Sequence, residues 1–213
     1  MFKISCDCRI IQVLVNERFA MTVAIIDCGG ANLRSVQKAV ELQDMKAVIT
    51  NDKNIISNAS FVILPGVGSA MSVMNNLQDN NLTETIKELT MPVLGICIGM
   101  HVLFDYSAEH NTECLGIIPG NIKKFDSKLA FKVPRMGWNK VTFIQEQFKK
   151  LNNYYYFANS YYSQIFDQAL ASAEHGESFA AVIQKDNFLG CQFHPEKSSF
   201  AGKKFLDHFF NSS

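Results

Sequence analysis

From position 21 onward the chain alternates short, wholly apolar runs with stretches in which apolar side chains return every three or four positions. The run TVAIID (22–27) predicts a buried strand, and a Gly29-Gly30 turn leads to a helix that begins near Asn32 and carries Val36, Ala39 and Val40 on one face. KAVIT (46–50) and FVILP (61–65) predict two more strands. PVLGIC (92–97) predicts another, running into GMHVLFDYS, where the spacing of Val102, Leu103 and Tyr106 predicts an amphipathic helix. Strands apolar on both faces, separated by helices, imply a parallel sheet covered on both sides.

After about residue 112 the pattern changes to strand-like segments separated by turns. YYYFA (154–158), FAAVIQ (179–184) and FLGCQF (188–193) are the clearest, and the Lys185-Asp186-Asn187 turn between the last two predicts an antiparallel hairpin. A closing helix over 199–211 places Phe200, Phe205, Phe209 and Phe210 against the sheet. The fold class is therefore α/β: a mostly parallel central sheet flanked by helices, with an added antiparallel portion. Residues 21–213 make one domain, and residues 1–20 read either as an extension or as an upstream start that the cell does not use. Asp7, Arg9 and Gln12 interrupt its apolar stretch, which argues against a signal peptide. No segment has the length needed to cross a bilayer.

Charge narrows the choice of partner. Twenty basic and twenty acidic residues leave a net charge of zero, which gives no electrostatic case for binding nucleic acid or an anionic membrane. A small substrate or a protein partner fits better. A chain of 213 residues with six cysteines has core enough to do without disulfides, so these read as free thiols in the cytoplasm. The Cys6-x-Cys8 pair lacks a second half with zinc spacing, so no metal is expected.

The sharpest local signal is Gly95-Ile96-Cys97-Ile98-Gly99, between a predicted strand and helix. Small residues on either side of a nucleophile let the chain turn tightly and expose it, and a helix N-terminus favours a thiolate. The same pentapeptide also suits a buried cysteine between packing glycines. Phe193-His194-Pro195-Glu196 supplies what would distinguish the two, a base and a carboxylate able to orient it; proline keeps His194 out of helical geometry, and in an extended segment positions 194 and 196 share a side. Pro65-Gly66-Val67-Gly68, ending a strand, offers backbone N–H groups for an oxyanion and lacks the lysine of a phosphate loop.

These three elements, in this order, resemble the class I glutamine amidotransferases. More narrowly, DCGGANLRSV (27–36), LPGVGSA (64–70), LGICIGM (94–100), PRMGWN (134–139), YYFANSYY (155–162) and GCQFHPEKS (190–198) resemble the glutaminase subunits of imidazole glycerol phosphate synthase, a two-protein enzyme of histidine biosynthesis. The resemblance implies the amidotransferase fold and a Cys97 nucleophile, with His194 as acid and base and Glu196 orienting it. Backbone N–H groups of Gly66, Val67, Gly68 and Ile98 would hold the oxyanion, and His101, Ser160 and Tyr161 would contact glutamine. Met136, Trp138, Asn139 and Lys197 would face a (β/α)8 barrel cyclase that receives the ammonia. No cofactor is implied.

The match departs from the family pattern at four positions. His101 stands where a glutamine is usual, Arg135 and Asn159 each replace a histidine, and Cys28 replaces an aromatic residue. Such drift leaves room for a paralogous subunit that supplies ammonia for amidination of a surface sugar, or for a catalytically silent regulatory subunit. A pyridoxal phosphate synthase glutaminase fits PRMGWN less well, and a cysteine peptidase does not account for HPE.

Overall fold

The computed structural model describes residues 21–29, 32–66, 68–126 and 132–211. The extension expected at 1–20, with Cys6 and Cys8, lies outside the described residues, as does Val67.

Strands β1 (Thr22–Ile26), β2 (Lys46–Thr50), β3 (Phe61–Leu64) and β4 (Val93–Ile96) pair in parallel, in the order β2-β1-β3-β4. All four residues of β3 and of β4 are buried, as a sheet covered on both faces requires. Strand β13 (Phe188–Cys191) joins β4 in parallel, and from there the sheet turns antiparallel through β12 (Ser178–Lys185), β11 (Ala169–Glu174), β8 (Arg135–Phe143) and β9 (Asn153–Asn159). Among the described residues this makes one nine-stranded mixed sheet. The expected antiparallel hairpin is present, with Lys185 opposite Phe188.

Helix α1 (Leu33–Glu41) buries Leu33, Val36 and Val40. Short helix α2 (Lys53–Ser57) starts at Asp52, whose carboxylate accepts from the N–H groups of Asn54 and Ile55. Helix α3 (Ala70–Asp79) opens on a reciprocal cap: Ser69 Oγ accepts from Ser72 N–H, and Ser72 Oγ accepts from Ser69 N–H. Helix α4 (Thr83–Lys87) follows, and α5 (Ile98–His101) leaves the end of β4.

Three readings of the chain are corrected. The helix expected through GMHVLFDYS stops at His101, and Phe104–Ser107 forms strand β5 instead. There it runs parallel to β7 (Ile118–Lys124), with β6 (Thr112–Glu113) and β10 (Tyr161–Ser163) completing a second, four-stranded sheet. Asp105 accepts from Gly120 N–H at 2.8 Å, and Tyr106 is drawn into the ladder opposite Asn121 and Glu113, so long-range pairing overrides a helical spacing too short to hold on its own. Second, Phe200 on the closing helix α6 (Ser199–Asn211) is 65% exposed, while Phe205, Phe209 and Phe210 are buried and Phe61 meets the last two edge-on at 5.5 and 5.0 Å. Third, His194 is extended, but Pro195–Lys197 forms a single 3-10 turn, so His194 and Glu196 meet across a turn and not along a strand.

Among the described residues no helix is long and apolar enough to cross a membrane.

Candidate active site

Cys97 sits where β4 ends and α5 begins, at φ +53° and ψ −106°, a conformation that a side chain with Cβ adopts only under constraint. Its N–H donates to Cys191 O at 2.7 Å, and its carbonyl accepts from the N–H groups of Met100 and His101 at 3.0 and 3.1 Å. The flanking glycines make the turn possible by close approach. A Cβ on Gly99 would collide with the Leu64 carbonyl, its carbon only 2.7 Å away. A Cβ on Gly66 would lie 2.6 Å from Cys97 Cβ, so the Pro65–Gly66 strand end packs directly against the cysteine. Gly68 is left-handed at φ +86°, and Ile98 opens α5, so its N–H lies in the first turn without an intrahelical acceptor.

From β13 the chain brings His194 to the same place. His194 N–H donates to Tyr156 O at 2.8 Å, and Ser198 Oγ donates to His194 O at 2.6 Å while accepting from Tyr156 N–H at 2.9 Å, which pins the 3-10 turn to β9. The imidazole Nδ1 lies 2.8 Å from Glu196 Oε1, leaving Nε2 for Cys97 on the other side. Burial works against the charged imidazole, yet hydrogen bonding and charge attraction from Cys97 and then Glu196 outweigh it and lift His194 from 6.5 to about 10. His194 therefore keeps its proton at neutral pH, held between the Cys97 sulfur and the Glu196 carboxyl group. Burial pushes three further cysteines up: Cys28 and Cys114 rise to about 12, and Cys191 well above its ordinary value.

A cleft of about 310 Å³ contains Cys97 and His194, and its wall includes Gly66, Gly68, Ile98 and His101. Ser160, Tyr161 and Lys197 also line it. The structure thus brings together the described triad, oxyanion and substrate candidates together with Lys197. Met136 and Trp138 stand outside the cleft on the exposed face of β8, at 70% and 54% exposure, with Trp138 paired to Tyr156 of β9. Both lie within the strand itself. Asn139 alternates to the other face and donates to Glu174 O.

Three contributors escaped the sequence reading. Asn32, just before α1, donates to Glu196 Oε1 at 2.9 Å and steadies the carboxylate beside His194. Glu109 lines the cleft, and its Oε2 accepts from Ala70 N–H at 2.7 Å, tying the second sheet to the start of α3. Gln192 lies fully enclosed, beside the cysteine. A polar residue at a predicted helix start was the only signal for Asn32, and a glutamine within an apolar strand the only one for Gln192; Glu109 had none. Two of the departures from the family pattern are direct cross-strand partners, Arg135 and Asn159. Arg135 is buried with its guanidinium 3.9 Å from the centre of the Phe157 ring, and burial lowers it to about 10.

A mixed sheet with a cysteine on a strained elbow, joined to a His–Glu pair two residues apart, defines an amidotransferase. The family model for class I glutamine amidotransferases matches residues 24–212, and the chain belongs to that family.

Its relatives are narrower. It is 42% identical over 193 residues to imidazole glycerol phosphate synthase subunit HisH 2 of Legionella pneumophila (strain Paris), covering 89% of this chain and 97% of that protein. It is 40% identical over 204 residues to the HisH subunit of Colwellia psychrerythraea, covering 87% and 90%, and 40% identical over 193 residues to that of Bacteroides fragilis, covering 89% and 98%. Among solved structures, a glutamine amidotransferase superposes with TM-score 0.70 at 15% identity over 88% of this chain and 96% of that one. PurLQS from Thermotoga maritima gives 0.69 at 17% over 90% and 98%, and both confirm the fold.

Proposed function

We propose that this chain is the glutaminase subunit of imidazole glycerol phosphate synthase, working in the cytoplasm, with residues 21–213 as one amidotransferase domain. It hydrolyses glutamine at Cys97 and passes the ammonia to a (β/α)8 barrel cyclase subunit. The observation that carries the chemistry is His194 held at 2.8 Å by Glu196 on one side and hydrogen-bonded to Cys97 on the other.

The steps follow from that geometry. The Cys97 thiolate attacks the side-chain amide carbon of glutamine, and the charge that collects on the amide oxygen is met by N–H groups of Ile98 and of the Gly66–Gly68 turn. His194, already an imidazolium, gives its proton to the leaving nitrogen, and ammonia departs from a glutamyl thioester. Water loses a proton to the neutral imidazole and attacks the thioester, the thiolate leaves, and glutamate is released with the ion pair restored. Asn32 and Glu196 keep the ring in the tautomer that both halves need. Glu109 places a carboxylate in the cleft to meet the substrate's α-ammonium.

Ammonia in neutral water is mostly protonated and unreactive as a nucleophile, so the product must leave through a shielded path into the acceptor enzyme. Met136 and Trp138 are exposed apolar side chains on β8, Met136 opposite Ala158 of the cleft wall, and with Lys197 of that wall they are suited to cover that path. The test is glutamate release by the purified chain with and without the cyclase subunit and its ligand. Ligand-stimulated release that disappears in Cys97→Ala supports the reading; release unchanged in Cys97→Ala refutes it.

A further inference from the structure

Beside the triad lies a chain of buried polar groups that the steps above do not use. Gln192, two residues before His194, is 0% exposed. Its side-chain oxygen Oε1 lies 2.7 Å from His101 Nε2, and its nitrogen Nε2 lies 3.7 Å from Cys97 Sγ. An amide oxygen only accepts, so the hydrogen on His101 sits on Nε2, and Nδ1 is left as an acceptor. That Nδ1 is buried without a partner, on a ring that is 1% exposed and lines the cleft. In this orientation the amide oxygen accepts from His101 and the amide nitrogen donates to Cys97, so both polar atoms of the Gln192 side chain have partners.

We propose that Gln192 and His101 form a relay that stabilises the Cys97 thiolate and couples it to the substrate. Gln192 donates to Sγ, His101 holds Gln192 in the donating orientation, and His101 Nδ1 accepts from an N–H of the bound substrate. This rests on Cys97 being the nucleophile. The three hydrogen bonds run head to tail, from substrate to ring to amide to sulfur, so each strengthens the next. A donor reaching Nδ1 makes Nε2–H a better donor to Gln192, which in turn sharpens the donation to Sγ. A site filled by the right ligand then holds a better-stabilised nucleophile than an empty one. The relay's polarity persists through neutral pH: burial lowers His101 to about 4, overcoming the upward pull of its bond to Gln192, and the ring stays neutral.

Gln192 touches the reacting sulfur, and His101 is a positioning residue that acts on the sulfur through it. The test is the pH dependence of iodoacetamide alkylation at Cys97 in the full chain, followed by peptide mass spectrometry to separate it from the other thiols. Gln192→Met keeps the side chain's length and removes the donor, so the alkylation midpoint should rise by about one pH unit, roughly a tenfold slower reaction on the acid limb. His101→Phe should raise it by less, and His101→Gln, which can still donate to Gln192, should restore it. Should Gln192→Met fail to fold, Gln192→Glu keeps the shape, cannot donate when ionised, and must shift the midpoint in the same direction.

A midpoint that stays put or falls in the Gln192 variants overturns the relay. Alkylation needs no glutamine, so the two readings fail separately. A chain that shows the shift but releases no glutamate loses the proposed function and keeps the relay; active wild type without the shift loses only the relay.

Discussion

Gly99→Ala tests whether the elbow is held by backbone contact. The added Cβ would run into the Leu64 carbonyl, and the nearest atoms are the carbonyl itself and Leu64 Cβ at 3.1 Å. None of these is the end of a flexible side chain. Leu64 ends β3, which pairs through Leu64 with Gly95 of β4, so relief requires α5 to lift away from two central strands. Overpacking against backbone belongs at the upper end of its range, about 3 kcal/mol. For a chain of 213 residues that corresponds to a melting temperature lower by roughly 6–12 °C. Lifting α5 also moves Cys97 relative to His194, and a displacement of about 1 Å costs on the order of a hundredfold in rate. Thermal unfolding by circular dichroism and glutamate release with the cyclase present would be measured side by side. A variant within about 2 °C and twofold of wild type would show that the elbow yields easily, and the packing account would be wrong.

Other outcomes follow from the same structure. His194 has a folded-state value above the unfolded 6.5, so the stability it contributes is complete below pH 6.5 and is lost as pH rises through about 10. Cys97→Ala removes one of its two partners, and the imidazole titration read by NMR should move down by at least about one unit; an unchanged midpoint would leave the shift to Glu196 alone. His101 behaves inversely: the unfolded chain takes its proton first, so stability should fall as pH drops from 6.5 towards 4, and His101→Gln should lessen that acid loss in pH-dependent unfolding. Glu109→Gln should raise the Michaelis constant for glutamine several-fold with little change in turnover, and should cost no more than about 1 kcal/mol because its amide oxygen can still accept from Ala70 N–H, though more weakly than a carboxylate; a fall in turnover alone would remove it from substrate binding. Trp138→Ala should weaken binding of the cyclase about tenfold or more in titration calorimetry, leaving the isolated chain's fold intact.

Much of this was legible along the chain because the parallel half is written in local terms. Runs such as FVIL and VLGI are apolar at every position and have few alternatives to a doubly covered strand. The elbow and the HPE segment were legible for a similar reason, since glycine and proline restrict the backbone close to where they stand. What escaped depends on distant partners. Phe104–Ser107 became a strand through pairing with Ile118–Lys124, Asn32 matters only because Glu196 comes to it from 164 residues away, and Glu109 matters because the second sheet carries it to the start of α3. His101 was legible as a candidate for the cleft, which it lines; its bond to Gln192 was not, because nothing in the spacing of 101 and 192 places them together.

The most direct test of the central claim is a rapid acid quench of the assembled enzyme turning over isotope-labelled glutamine, followed by mass spectrometry of the peptide that carries Cys97. The account predicts one labelled glutamyl group on that peptide, formed and lost at the rate of glutamate release and absent in Cys97→Ala. Steady glutamate release with the label on another residue, or on none, would contradict it.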